Sequence, residues 1–285
     1  MRMETKQSSE TIKFITLIRF ILVVSVGRLG KNNCNKKGGR LTSFFILYMI
    51  FMKNHFCYFY NMNIDKNIKE ILLKEHTTGG KLNVNVDEVV PRYSKSTDIQ
   101  KTRTKEKAEV FTPVEIVKKM NDSFDKDFNG SDEDYIKRRV LEVTCGEGPF
   151  LTTRYHTIDG DSIDVKKRVG LLDRKLQRIK TDDEKEWCRL AELALKSTYG
   201  YEWQEDSLFL ARRNVLLTVV ESFEDKFGKE PTEVEKWAEI ISYNIFRMDG
   251  VTMCFPETES PVKIMNWDTG NMERFDGKVD DIPLW

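Results

Sequence analysis

Paired cysteines, histidines and long apolar runs are all scarce in this chain. Its five cysteines (Cys34, Cys57, Cys145, Cys188 and Cys254) form no CxxC pair, and three histidines complete no zinc constellation. No metal is therefore expected. An odd, scattered cysteine set speaks against a disulfide framework and suits a reducing cytoplasm. No repeat of solenoid-like period is present. A membrane-spanning helix needs about 20 apolar residues. The first apolar run, Phe14–Val26, is shorter and is broken by Arg19; the second, Leu41–Met52, reaches that length only by taking in Lys53, Asn54 and His55. Stable membrane association is not expected, although an anchor or a signal peptide remains the alternative reading of residues 1–61.

What is present fits a soluble domain with added segments: 285 residues, 40% apolar, 32% charged and zero net charge. The balance is uneven, because residues 1–60 carry a net charge of about +8. Residues 1–61 are expected to lie outside the core, with Met62 resembling a natural start. Residues 62–108 are expected to be a helix followed by a polar linker. Within it, Lys101, Arg103, Lys105 and Lys107 form either a solvated lead-in or a phosphate-backbone contact. The core is expected over 109–285, incomplete at its carboxyl end.

Within that core, Thr112, Pro113 and Glu115 predict a capped helix start, with Val117, Met120 and Phe124 on one buried face. Val140, Leu141 and Val143 predict a buried strand, and Val169–Leu172 a second ending at Asp173. "EKEWCRLAELALKS" predicts a helix. "YGYEWQEDSLFLARRNVLLTVVESF" predicts a strand, a cap at Asp206 and a helix. Thr232 and Glu235 predict a capped helix with an inner stripe of Val234, Trp237, Ile241, Ile245 and Met248. "VKIMNWDTGNMERF" predicts a hairpin. Alternating strands and helices argue for an α/β fold with a mainly parallel sheet flanked by helices. Such sheets bind ligands at their strands' carboxyl ends, where Glu142, Asp173 and Asp206 fall.

The segment "LEVTCGEGPF" ends the first strand in a turn holding Gly146 and Gly148. It lacks the third glycine of a dinucleotide turn and the Gly-Lys-Ser/Thr of a P-loop. Arg154 stands too far from Cys145 for a phosphatase loop, so Cys145 reads as a small packed residue. A carboxylate at Glu142 beside phosphate oxygens would be repelled by about 4 kcal/mol at an effective dielectric near 20. A cationic amine would be attracted instead. S-adenosylmethionine, with an ammonium group, a ribose and no phosphate, fits two glycines and two acids.

Taken in order, "EVFTP", "LEVTCGEGPFLTTRY", "GLLDRKL" and "YGYEWQEDSLFLARRNVL" resemble the modification subunits of bacterial restriction systems, which are N6-adenine DNA methyltransferases. The resemblance covers roughly residues 101–275. It implies a Rossmann-like, class I S-adenosylmethionine-dependent methyltransferase fold and methylation of adenine N6 in DNA. By matching position, Phe111, Thr112 and Pro113 would line the cofactor. Glu142 and the Cys145–Gly146–Gly148 turn would hold its methionine end, Asp173 its ribose and Asp206 its adenine amine. DNA and a specificity or endonuclease subunit are the implied partners. The family's Asn/Asp/Ser-Pro-Pro-Tyr/Phe catalytic motif is missing: no Pro-Pro occurs, Ser242-Tyr243-Asn244 falls in a predicted helix, and Glu205 replaces a usual glycine. A non-catalytic or decayed cofactor-binding fragment acting as an interaction module is the alternative.

Overall fold

The computed structural model describes residues 64–107, 109 and 112–275. The extension 1–61 and Phe111 lie outside them. In chain order the elements begin with α1 (Lys66–Leu72), a ribbon of β1 (Lys74–Glu75) and β2 (Gly80–Lys81), and α2 (Thr97–Lys107). There follow α3 (Val114–Asp125), α4 (Asp132–Lys137), β3 (Val140–Glu142), α5 (Leu171–Gln177), α6 (Glu184–Lys196), β4 (Thr198–Glu202), α7 (Glu205–Phe227), α8 (Val234–Asn244), β5 (Ile245–Arg247), β6 (Lys263–Asn266) and β7 (Asn271–Arg274).

The central sheet has the order β3-β4-β5 with both pairs parallel. Its register sets Glu142 opposite Gly200, and Glu202 opposite Arg247. Helices fill the crossovers, as parallel pairing requires. Side chains alternate between the two faces. One face carries Leu141, Tyr199, Tyr201 and Phe246, packed with Val262 and Phe275 beside the antiparallel β6–β7 hairpin. The other belongs to the main core, where Cys145 and Ile245 meet α5–α8 and α1. Trp187 anchors that core, edge-on to Phe223 at 5.4 Å and to Trp237 at 6.2 Å. Each such pair adds about 0.5–1.5 kcal/mol beyond the area it buries. No helix among the described residues is long and apolar enough to cross a membrane.

Several local expectations are corrected. Thr112 does not cap α3; Pro113 occupies that position with no side-chain bond, and the buried residues are Val117 and Asn121. Met120 is exposed, and Phe124 lies half-buried under the Arg138 guanidinium, 3.7 Å from its ring centroid. Asn121 is buried because its amide donates to Phe150 O (3.2 Å) and Val169 O (3.0 Å), tying α3 to the loops beside the glycine turn. The Val169–Leu172 stub is not a strand: Gly170 starts α5, and Asp173 accepts from the Gly170 amide at 2.9 Å. A short apolar run does not distinguish a strand from a buried helix start. Glycine is required at 170, since a Cβ there would come within 2.4 Å of Leu151 O.

The Thr232–Glu235 capping box does not form, and α8 stops at Asn244. The Asn244 side chain donates to Leu195 O (2.8 Å) and Thr198 O (3.2 Å), and the backbone turns extended into β5. Ile245 and Met248 thus belong to the strand and its exit rather than to a helical stripe. Residues 62–108 hold more than a helix and a linker. Ile68, Leu72, Leu73 and Leu82 enter the main core. The wholly buried Arg212 of α7 donates to Leu72 O, Lys74 O, Ser242 O and Ile245 O at 2.7–3.0 Å.

Candidate functional site

The glycine turn leaves β3 at its carboxyl end through three left-handed residues: Thr144 (φ 48°), Gly146 (φ 54°) and Gly148 (φ 77°). Gly148 also packs against Ala211 of α7, where an added Cβ would sit 3.7 Å from the alanine methyl. Side chains rarely adopt such angles, so the glycines let the chain reverse tightly over the strand ends. Cys145 N continues the sheet by donating to Tyr201 O at 2.8 Å.

Carboxyls hold the turn. Glu142, buried beneath it, accepts from Phe150 N (3.2 Å) and Leu151 N (3.1 Å). Glu202, half-buried at the end of β4, accepts from Gly146 N, Trp203 N and Gln204 N at 2.8–2.9 Å. Glu147, also half-buried and in the turn itself, accepts from Arg92 N and the Tyr155 hydroxyl, both at 2.7 Å. Among the described residues, none of the three carboxylates has an ion-pair partner within 4.0 Å. Burial is the largest effect on each. It pushes Glu142 to about 8, aided by the neighbouring Glu202 and opposed by the Phe150 and Leu151 amides. Burial likewise raises Glu202 and Glu147. Burial pushes the Cys145 thiol far up as well, which suits a packed residue rather than a thiolate nucleophile.

Above the turn lies a cavity of about 1050 Å³, walled by Glu142, Cys145, Gly146, Glu147 and Glu202. Its rim carries Thr112, Trp203 and the exit of β5, from Met248 to Val251. The volume is at the upper end for a small-molecule site. Comparison with protein-family models, curated proteins and solved structures gave no match. The chemistry of the cavity therefore has to be read from its own groups. Among the described residues, no group of three His, Cys, Asp or Glu side chains is placed to hold a metal ion.

Of the residues singled out in the sequence, Thr112, Glu142, Cys145 and Gly146 face the cavity. Pro113 and Gly148 shape its surroundings without lining it. Asp173 and Asp206 do not line it. Asp173 is buried at α5's start, accepting from Thr153 N (2.8 Å), Thr153 Oγ1 (3.1 Å) and Gly170 N. It acts on the cavity indirectly, by fixing Thr153 in the wall. Asp206 lies in the first turn of α7, with Gln204 as the N-cap. It is bound by Arg103 (2.8 Å) and approached by Lys95 (3.5 Å). Burial works to raise its carboxyl, but the Arg103 hydrogen bond and charge prevail and hold it below its ordinary range.

Glu202, Glu147 and Asp249 are the site groups that sequence reasoning missed. Glu202 was legible: it ends the stub "YGYE" as Glu142 ends "VLE". Asp249 follows β5, a strand hidden inside a predicted helix. At the rim it is half-buried, and bonds from Val251 N (2.8 Å) and Thr252 Oγ1 (2.9 Å) hold it below its ordinary range.

The predicted linker crosses one edge of this cavity as α2, with Lys105, Glu106 and Lys107 in its lining. The helix buries none of its residues, and side-chain bonds hold it. Arg92 donates to Glu109 O and to Thr104 Oγ1 (2.6 Å). Gln100 donates back to Arg92 O (3.1 Å) and Lys95 O (2.8 Å). Arg103 joins Glu109 and Asp206.

Proposed function

We propose that the cavity binds S-adenosylmethionine, and that the chain is the cofactor-binding core of an N6-adenine DNA methyltransferase of restriction-modification type, with a Rossmann-like class I fold. The carrying observation is the set of carboxyls around a left-handed glycine turn at the carboxyl ends of a parallel sheet, with no ion-pair partner among the described residues. Burial favours their neutral form, so a cationic ligand would be stabilised by their ionisation and would itself supply the missing charge. A phosphate placed against the turn would gain nothing from these carboxyls, the cavity's lysines, Lys105 and Lys107, standing at its α2 edge. The donor set also fits in number. Each carboxylate offers about four acceptor positions. Glu142 uses two of them and Glu202 three, leaving room for an ammonium or ribose hydroxyls.

When bound, S-adenosylmethionine would supply a sulfonium methyl for transfer. The chain's own groups would do the rest. Glu142 and the Cys145–Gly148 turn would hold the amino-acid end. Glu202 would take the ribose-acceptor role that the family resemblance implied for Asp173. Thr112 would border the cofactor from the rim. Asp249, at the exit of β5, would be the rim carboxylate to accept a proton from a target amine.

A second reading, a cofactor-binding module without catalysis, is favoured by one observation. Ser242 and Asn244 are buried at the amino end of β5, opposite the cavity, and Asn244 is committed to Leu195 O, Thr198 O and Trp267 Nε1. Calorimetric titration of S-adenosylmethionine into the full chain, in buffers of differing ionisation enthalpy, tests the binding. Micromolar affinity with proton release is expected, whereas adenosine, which carries neither cation, should release no protons. Absence of binding, or identical behaviour of the two ligands, would overturn the proposal. Transfer of labelled methyl to DNA then separates enzyme from module.

A further inference from the structure

A second cavity, of about 550 Å³, lies at the opposite end of the sheet, where α6 runs into β4 and the β6–β7 hairpin folds over the strand starts. Four cationic side chains line it, Lys137, Arg139, Lys196 and Arg274, against two acids, Asp268 and Glu273. Lys196 is held by Glu192 at 4.0 Å and lies 5.3 Å from the Trp267 ring centroid, whereas the other three are weakly engaged. Arg139 meets Asp268 at 3.0 Å, but the two side chains are 41% and 78% exposed. Lys137 pairs within its own helix with Glu133, both side chains being about half exposed. Exposed pairs of this kind contribute about 0–1 kcal/mol, so a ligand would displace them at little cost. Arg274 has no carboxylate within ion-pair distance among the described residues. The hairpin register sets it directly opposite Lys263, an unfavourable like-charge pair.

Two buried groups add to this. Tyr199 is only 5% exposed, its ring packed between sheet and hairpin, yet it lines the cavity and its hydroxyl makes no hydrogen bond among the described residues. Behind the wall, the wholly buried Lys175 donates to Ser197 O (3.1 Å), Ser197 Oγ (2.7 Å), Thr198 Oγ1 (3.1 Å) and Arg138 O (2.7 Å). Burial, aided by the Arg138 charge, pushes its ammonium well below the ordinary lysine range, so it braces the wall through these hydrogen bonds and adds nothing to the charge of the site. A tyrosine hydroxyl that opens on the cavity with no partner among the described residues, and a cluster of cations on one wall, are the complement of an oxyanion.

We propose that this cavity binds a phosphoryl group, with Arg139, Arg274 and Lys137 supplying the charge and the Tyr199 hydroxyl a directed hydrogen bond. The site is independent of the cavity above the glycine turn, and its assignment does not rest on the methyltransferase reading. The phosphoryl group belongs either to a small phosphate ester or to a nucleic-acid backbone, and both present the same oxygens.

Titration of pyrophosphate into the full chain, followed by calorimetry at low and moderate salt, tests the assignment. Saturable binding is expected, weakened at least 10-fold in an Arg139→Gln/Arg274→Gln double variant and several-fold in Tyr199→Phe. The tyrosine variant keeps its ring and its packing, so circular dichroism should be unchanged. A short single-stranded oligonucleotide that competes with pyrophosphate, and loses affinity in Tyr199→Phe, would identify the backbone as the source. One that leaves pyrophosphate bound would identify a small ester. No saturable pyrophosphate binding, or binding that neither variant alters, would overturn the proposal. Binding of S-adenosylmethionine at the other cavity should be the same in all these proteins.

Discussion

Replacing Glu142 by glutamine should lower stability at acid pH and cease to do so, or raise it, at alkaline pH. Unfolded, the carboxyl titrates near 4.5; folded, burial raises it to about 8. Between those values the folded chain keeps a proton that the unfolded chain has released. The stabilisation from this group is therefore complete below about pH 4.5 and is lost as pH rises through about 8. The whole change amounts to about 5 kcal/mol, at a slope near 1.4 kcal/mol per pH unit in mid-window. Glu142 is only 6% exposed, so solvent screening reduces this little. In Glu142→Gln nothing titrates, but a side-chain NH2 faces one of the Phe150 and Leu151 amides, leaving a buried donor unpaired at about 1–3 kcal/mol. Near pH 5 the variant should therefore be the less stable protein. By about pH 8 to 9 it should equal or exceed the wild type. Urea unfolding of both proteins from pH 5 to 9, compared at equal m-values, measures the difference and cancels groups common to the two. A gap that stays constant with pH would mean that Glu142 is ionised throughout, and would remove the basis for the proton release expected when S-adenosylmethionine binds.

Other outcomes follow from single contacts. Arg212→Met should lower stability by about 3–5 kcal/mol in the same unfolding assay, because four buried carbonyls lose their donor together. Asp206→Asn should loosen α2, whose ion pair with Arg103 is its link to α7. Trypsin cleavage after Lys101, Arg103, Lys105 or Lys107 should become several-fold faster, with the cleavage sites read by mass spectrometry. Unchanged cleavage would mean that Glu109 alone suffices to hold the helix.

The sequence made some parts of this molecule readable and hid others for identifiable reasons. Helix α6 and the β6–β7 hairpin were legible, since thirteen residues of 3.6-fold periodicity and an Asp-Thr-Gly turn each leave few alternatives. Strand β5 was not: two apolar residues after a helix, Ile245 and Phe246, read as its continuation, and the stop comes from Asn244 side-chain bonds to Leu195 and Thr198, distant in sequence. Asp173 and Asp206 were drawn to the ligand by their position after apolar stubs. Each instead satisfies donors of the protein itself, one at the α5 start and the other an arginine 103 residues earlier. Glu142 is where expectation and structure stand closest, although its partners are backbone amides that no sequence pattern announces. The basic cavity beneath Tyr199 left no linear trace, because its cations come from α4, the start of β3, α6 and β7.

The four carbonyls gathered by Arg212 also bear on how the protein is made. Two belong to residues 72 and 74, about 140 positions before the guanidinium that binds them. At a synthesis rate of about 5–20 residues per second, that stretch of chain takes on the order of 10 s to emerge. Until then, the apolar face of α1 has neither α7 nor α8 to cover it. Leu72 and Ile68 must wait in the open while the sheet assembles. Helix α1 is thus made long before the elements that secure it, and its exposed interval is when a chaperone or a misplaced partner would find it.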